Sequence, residues 1–414
     1  MSSIRVARGA GAVVAGVVFG LLLAGCGSGG PPSGTAAGSA AAGAGGVVGT
    51  AVATPPDPGA SAGQSSASAS AKPTPSPSAK RKVAALPRAG NPGGGASVPA
   101  AAQAVDTSHP TRTVGRGTAA SCTSAAVVAA VAAGGVITFS CGPDPVVITM
   151  AATAKVRNAS SRVVLDGGGK VTLSGGGQRR ILYLDTCDQA QGWTTSHCND
   201  QSTPQLTVQN LTFADGDSTG DTAEGGGGGA ILDRGGRLKV INSRFVRNRC
   251  DRTGPDLGGA AIRALDQSGG LPVYVVDSTF GGAPGQGGVC SNGGALSSIG
   301  VSWVVLNSVL SYNSAVGNGA NPARSGTPGG GSGGAVYTDG NRYTVTVAGS
   351  VIEHNTAKEG GGAMFFVSND RTGTLTLQGS TLKSNPSAGF ETAGYPGIFF
   401  LGSGRPSVQH STLG

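Results

Sequence analysis

Apolar and polar positions alternate in a repeating pattern along the C-terminal two-thirds of the chain. LTVQNLTF (206–213), LKVINSRF (238–245), VYVVDSTF (273–280), WVVLNSVL (303–310), VTVAGSVI (345–352), LTLQGSTL (375–382) and VQHSTLG (408–414) each join two short β-rich runs through a turn residue. That residue is Asn210, Asn242, Asp277, Asn307, Gly349, Gly379 and finally His410, at intervals of 30 to 42 residues. Between these units lies a second one: GGAIL (228–232), GGAAIRA (258–264), GGALSS (293–298), GGAVYT (333–338) and GGAMFF (361–366). Period-two alternation, as in Leu375-Thr376-Leu377, sends Leu inward and Thr outward. A strand-built motif recurring about every 30 residues predicts an all-β parallel solenoid. Its coils would stack at ~4.8 Å, with roughly nine or ten of them.

The region before the repeats reads differently. SAAVVAAVAAGG (124–135) predicts one short apolar helix with a Gly stop, capping the first strands. Residues 27–110 are almost all Ala, Gly, Ser, Pro and Thr, as in KPTPSPSAK (72–80). Such a segment buries too little apolar surface to offset the entropy of ordering it, so a disordered stalk is expected. At the N-terminus, Arg5 and Arg8 precede GAGAVVAGVVFGLLLAG, the pattern of an export signal and short for a membrane span. It ends in LAGC (23–26), which resembles the lipobox of bacterial lipoproteins. That resemblance implies lipidation of Cys26, an extracytoplasmic location and a membrane anchor through the lipid. The expected division is a signal over 1–25, a stalk over 26–110 and a folded domain over 111–414.

Composition and charge narrow the picture. The 75 glycines suit a turn-rich repeat, and no Gly-X-Y period marks collagen. The net charge is +8, but residues 111–414 hold 22 basic and 19 acidic side chains. That balance argues against a nucleic-acid partner. With Cys26 set aside, six cysteines remain, an even number for an oxidising compartment. Six allow 15 connectivities, of which local pairing is the simplest: Cys122–Cys141, Cys187–Cys198 and Cys250–Cys290. No CxxC occurs to suggest zinc.

The Gly-Gly-Ala corners are followed by Phe245-Val-Arg-Asn248, Leu310-Ser-Tyr-Asn313, Ile352-Glu-His-Asn355 and Leu382-Lys-Ser-Asn385. These motifs resemble the GGAI/FxxN repeats of chlamydial polymorphic outer membrane proteins. More widely, residues 118–414 resemble right-handed parallel β-helix proteins of the pectate lyase-like type. The resemblance implies a fold; that fold hosts many functions. The chlamydial proteins continue into a membrane barrel, whereas this sequence ends at Gly414 within a repeat, so the lipid is the expected anchor.

Four stretches carry candidate chemistry. In VIEHNTAKEGGGAMFF (351–366), Glu353 and His354 fill a variable slot and read as surface residues. Asn248, Asn313, Asn355 and Asn385 occupy the demanding position and are expected to form a hydrogen-bonded ladder. In the loop at 214–230, Asp215, Asp217, Asp221 and Glu224 offer carboxylates to a hard cation, so calcium is the candidate metal. In 233–252, Arg234, Arg237, Lys239, Arg244, Arg247, Arg249 and Arg252 suggest a stripe for an anionic polymer. Trp303, Tyr337, Tyr343 and Phe366 are candidates for an aromatic glycan surface. No phosphate-loop, nucleophile-elbow or zinc-protease motif occurs. The leading expectation is a monomeric surface lipoprotein that binds a glycan or anionic cell-wall polymer. A calcium-assisted polysaccharide lyase and a purely structural envelope protein are the alternatives.

Overall fold

The computed structural model describes residues 88–414. Cys26 and the predicted export signal lie outside the described residues. The fold is all-β with long parallel sheets, of seventeen, eight and three strands. Each repeat pairs in parallel with the next at the spacing the motifs predict. The first ladder runs through Arg237–Ile241, Val273–Val276, Trp303–Leu306, Thr344–Ala348, Thr374–Gln378 and Ser407–Gln409. The second runs through Arg244–Val246, Thr279–Gly281, Val309–Ser311, Val351–Glu353, Thr381–Lys383 and Thr412–Leu413. The third contains the Gly-Gly-Ala units, from Leu182–Asp185 to Ile398–Leu401. An α-helix, α1 (Ser124–Ala133), precedes the repeats, as the sequence predicts. The Thr123 side chain accepts from Ala126 N at its start, Gly134 (φ 69°) ends it, and Val127 and Val131 are buried.

The first two ladders merge where Arg162–Ser174 and Gln205–Ala214 run through both. In later repeats the strands end at the turn residue, which is left-handed throughout the column. Asn210, Asn242, Asp277, Asn307 and His410 have φ between 43° and 53°, and Gly349 and Gly379 have 58° and 53°. Asn, Asp and Gly tolerate this region best, which explains the composition of the column. The second variable position of each FxxN motif is also left-handed: Arg247, Tyr312, His354 and Ser384 have φ of 54°, 62°, 55° and 53°. The sequence pattern gave no warning of that, since these residue types are not glycine-like. In the Gly-Gly-Ala corner, a Cβ on Gly361 (φ 63°) would lie 2.1 Å from Met364 O. Only Gly fits there.

Inside, like residues stack on like. Phe213, Phe245 and Phe280 stack with centroids 5.0 and 4.6 Å apart, and Leu310, Ile352 and Leu382 continue the column. The asparagine ladder forms as expected. Asn355 Oδ1 accepts from Asn313 N at 2.9 Å, and Asn355 Nδ2 donates to Leu310 O and Asn385 Oδ1, both at 2.9 Å. A second ladder accompanies it. The backbone N–H groups of Ser243, Ser278, Ser308, Ser350 and Ser380 donate to the hydroxyls of Ser278, Ser308, Ser350, Ser380 and Ser411, at 3.0–3.2 Å. All three expected disulfides are present.

The stalk boundary needs correction. Residues 88–110 belong with the folded unit as a strap along the outer face of the first ladder. Asn307 holds Ala96 by both backbone groups, at 2.9 and 3.0 Å. Gln209 holds Val105 the same way, at 2.9 Å each. The strap is small-residued yet ordered because the face beneath it is apolar: Ala102 is buried with Ile241, Val276, Leu306 and Ala348.

Candidate functional site

The strap divides the outer face of the first ladder. It covers the row Asp166, Gln209, Ile241, Val276, Leu306 and Ala348. Beside it stand two more outward rows, Arg162–Gln205–Arg237 and Val164–Thr207–Lys239–Tyr274. They alternate with Leu206, Leu238 and Val240, which are in the core. This alternation follows from the strand period of two. The result is a groove of about 300 Å³ lined by Arg162, Gln205, Arg237, Lys239 and Tyr274, with Ala101 and Val105 of the strap as one wall.

The charge in this groove is one-sided. Its lining contains three cations and no carboxylate, and none of the three cations is ion-paired among the described residues. Lys239 Nζ donates to Gln103 O at 2.7 Å, which fixes the amine against the strap. Arg237 has only a long bond, 3.4 Å, to Pro272 O, and its Nε is buried without a partner. Burial lowers the pKa of Arg237, and burial and the Arg237 charge lower that of Lys239. Both cations would gain from an anion that supplied the missing acceptors. Arg162 and Arg237 share a register position two rungs apart, about 10 Å at the usual strand spacing.

The seven-residue basic stripe is corrected to four separate places. Arg237 and Lys239 join this groove. Arg234 lies on the third ladder near Asp185 and Asp266, at 3.7 and 3.9 Å. Arg244 reaches Arg88 O on the strap. Arg247, Arg249 and Arg252 line another groove of about 560 Å³, but Arg247 pairs with Asp215 and Arg249 with Asp217, each at 2.7 Å. The cause is the strand period and the intervening turns, which aim successive basic residues at different faces. Arg162 was missed because it lies in an earlier repeat, 75 residues before Arg237 in sequence.

The acidic loop does not gather around a point. Asp215 and Asp217 turn to Arg247 and Arg249, while Asp221 and Glu224 both reach the fully buried Arg180 guanidinium at 2.8 Å. Among the described residues no group of three His, Cys, Asp or Glu side chains is arranged to hold a metal ion. These acids therefore latch the loop to arginines. Arg180 was not singled out from the sequence; nothing in QRRILYL distinguishes it from its neighbour Arg179.

The aromatic candidates are also corrected: Trp303, Tyr337, Tyr343 and Phe366 are all buried. Trp303 Nε1 donates to Ser298 Oγ at 2.8 Å, and Tyr343 OH donates to Val367 O at 2.7 Å. Phe366 stacks on Phe400, with centroids 5.0 Å apart. Strand alternation alone did not reveal which face of these strands is covered. Of the acids and histidine in 351–366, Glu353 pairs with Lys383 at 3.3 Å and His354 stacks on Tyr312 at 5.1 Å. Glu359 is buried and clamps Arg324 through two bonds of 2.7 Å. No protein-family model matches the chain, and no curated protein or solved structure matches it significantly.

Proposed function

We propose that this chain is an extracytoplasmic binding protein that holds an extended anionic polymer, such as an acidic glycan or a cell-wall polymer, along the outer face of its first ladder. We further propose that residues 111–414 form a right-handed parallel β-helix and that the chain is anchored through lipid on Cys26. The parallel ladders and the repeat spacing support the β-helix. The three disulfides support export to an oxidising compartment. The observation that carries the binding reading is the groove with three unpaired cations, Arg162, Arg237 and Lys239, and no acid in its lining. Tyr274 adds a half-buried ring beside them, suited to packing against a sugar face.

The test measures binding of the full chain to a polyuronate, a polyglycerol phosphate and a neutral polysaccharide of equal length. The anionic polymers should bind, and the affinity should fall with salt. Arg162→Ala with Arg237→Ala should weaken binding by more than about tenfold, as loss of two charged hydrogen-bonding groups implies. Arg247→Ala with Arg249→Ala should leave it nearly unchanged. Equal binding to the neutral polymer, or loss only in the second double variant, would overturn the assignment.

A further inference from the structure

The strap shows how this face recognises polypeptide. Gln209 and Asn307 each take both the N–H and the C=O of one strap residue, so they read backbone rather than side chains. Strap residues Pro99 and Gln103 are in polyproline II conformation, with φ/ψ of −66°/156° and −73°/156°, and flank a single 3-10 turn at Ala100–Ala102. Small side chains let this backbone lie close to the sheet.

The same face continues beyond the strap. The row that contains Gln209 passes through Leu306 and Ala348 to Gln378 and Gln409. An open groove of about 660 Å³ begins at Leu306 and Ala348, runs over Gln378 and ends at His410, with Gly95–Ser97 of the strap as its wall. Gln378 thus stands at the register position of Gln209. Its amide is exposed and has no bonding partner among the described residues. From the Leu306 rung to the His410 rung is about 14 Å, room for four or five extended residues.

We propose that this open groove binds a second polypeptide segment, extended and built of small residues (Ala, Gly, Ser, Pro), with Gln378 reading its backbone as Gln209 reads the strap. The proposal does not depend on the anionic-polymer reading, which concerns the cationic groove at the other end of the face. The fit rests on continuity with the strap contact and on the repeated amide.

The probe is a fluorescent peptide with the strap's own sequence, GGGASVPAAAQAV (93–105), titrated by anisotropy into the full chain. Saturable one-to-one binding is expected, weakened about tenfold by Gln378→Ala. Gln378 is exposed, so that variant leaves the core intact, and an unchanged thermal unfolding curve would verify it. A peptide of the same length built of Asp and Ser should not bind. If the peptide instead exchanges with the strap, it would need Asn307 and Gln209 in the strap's place, and Gln378→Ala would leave its binding unaltered. That result, equal binding of the acidic peptide, or no saturable binding, would overturn the proposal.

Discussion

Asn355→Ala probes the interior asparagine ladder most directly. Asn355 is fully buried. Its carbonyl oxygen accepts from Asn313 N and Nδ2, both at 2.9 Å, and its amide donates to Leu310 O and Asn385 Oδ1. Alanine would strand the buried Asn313 amide N–H below it and remove a donor from the Leu310 carbonyl. Each buried group left unsatisfied costs ~1–3 kcal/mol, so a loss of about 3–5 kcal/mol is expected. Asn248 gives the internal comparison: its side chain has only two bonds, to Gly216 N at 2.9 Å and Phe213 O at 3.2 Å. Asn248→Ala should therefore cost less, about 2 kcal/mol. In a stacked repeat the damage is local before it is global, so native-state hydrogen exchange is the suitable assay. The amide of Asn313 should lose protection in the first variant, with those of the early repeats little changed. Equal losses in the two variants, or uniform loss along the stack, would refute the reasoning that ladder bonds are the local source of stability.

Asp233 is fully buried and accepts from Gln267, and burial raises its pKa well above 3.8. A raised acid favours the folded state most at low pH, and its contribution diminishes as pH climbs from 3.8 towards the folded value. Asp233→Asn should therefore raise the midpoint of urea unfolding at pH 8 and make no difference at pH 3; the opposite order would show the carboxylate to be stabilising. Glu359 has its pKa lowered chiefly by the Arg324 bond, so its support is present above 4.5 and is lost as pH falls through the folded value. Glu359→Gln at pH 7 should speed proteolytic cutting within residues 320–328, and unchanged cleavage would assign the loop's order to other contacts. Removal of the Cys250–Cys290 bridge, which spans 40 residues, should cost about 3–4 kcal/mol. Removal of Cys187–Cys198, spanning 11, should cost less in the same unfolding assay.

Repeat spacing made the parallel ladders legible because the period shows up as residues: Asn or Gly at the turn, Gly-Gly-Ala at the corner, Asn at the end of FxxN. Local cysteine pairing was legible for the same reason, since each pair lies within about one repeat. The serine ladder was in plain view as the residue after each turn, but its meaning needed the stack, because each hydroxyl serves the neighbouring repeat. The strap was not legible. GGGASVPAAAQA has a linker's composition, and what orders it is an apolar row assembled from Ile241, Val276, Leu306 and Ala348, four different repeats. The cationic groove failed for the same reason: Arg162 and Arg237 become neighbours only through register. Reading 233–252 as one stripe treated sequence adjacency as spatial adjacency, which a strand with alternating faces does not permit.

Where the strap leaves the sheet has a mechanical consequence. The strap meets Arg244 at Arg88, lies beside Asp277 and Asn307 at residues 90 and 91, and then travels back to the first strands. A pull on the N-terminal side of Arg88 would load the Arg88, Asn91, Ala96, Gln103 and Val105 contacts one after another, as a zip fastener opens. Each contact is weak alone, so the strap would come away at low force, releasing roughly 75 Å of chain before tension reached Arg112 and the first ladder strand. The strap is in this sense a stored length of chain that can be released while the sheet stays folded.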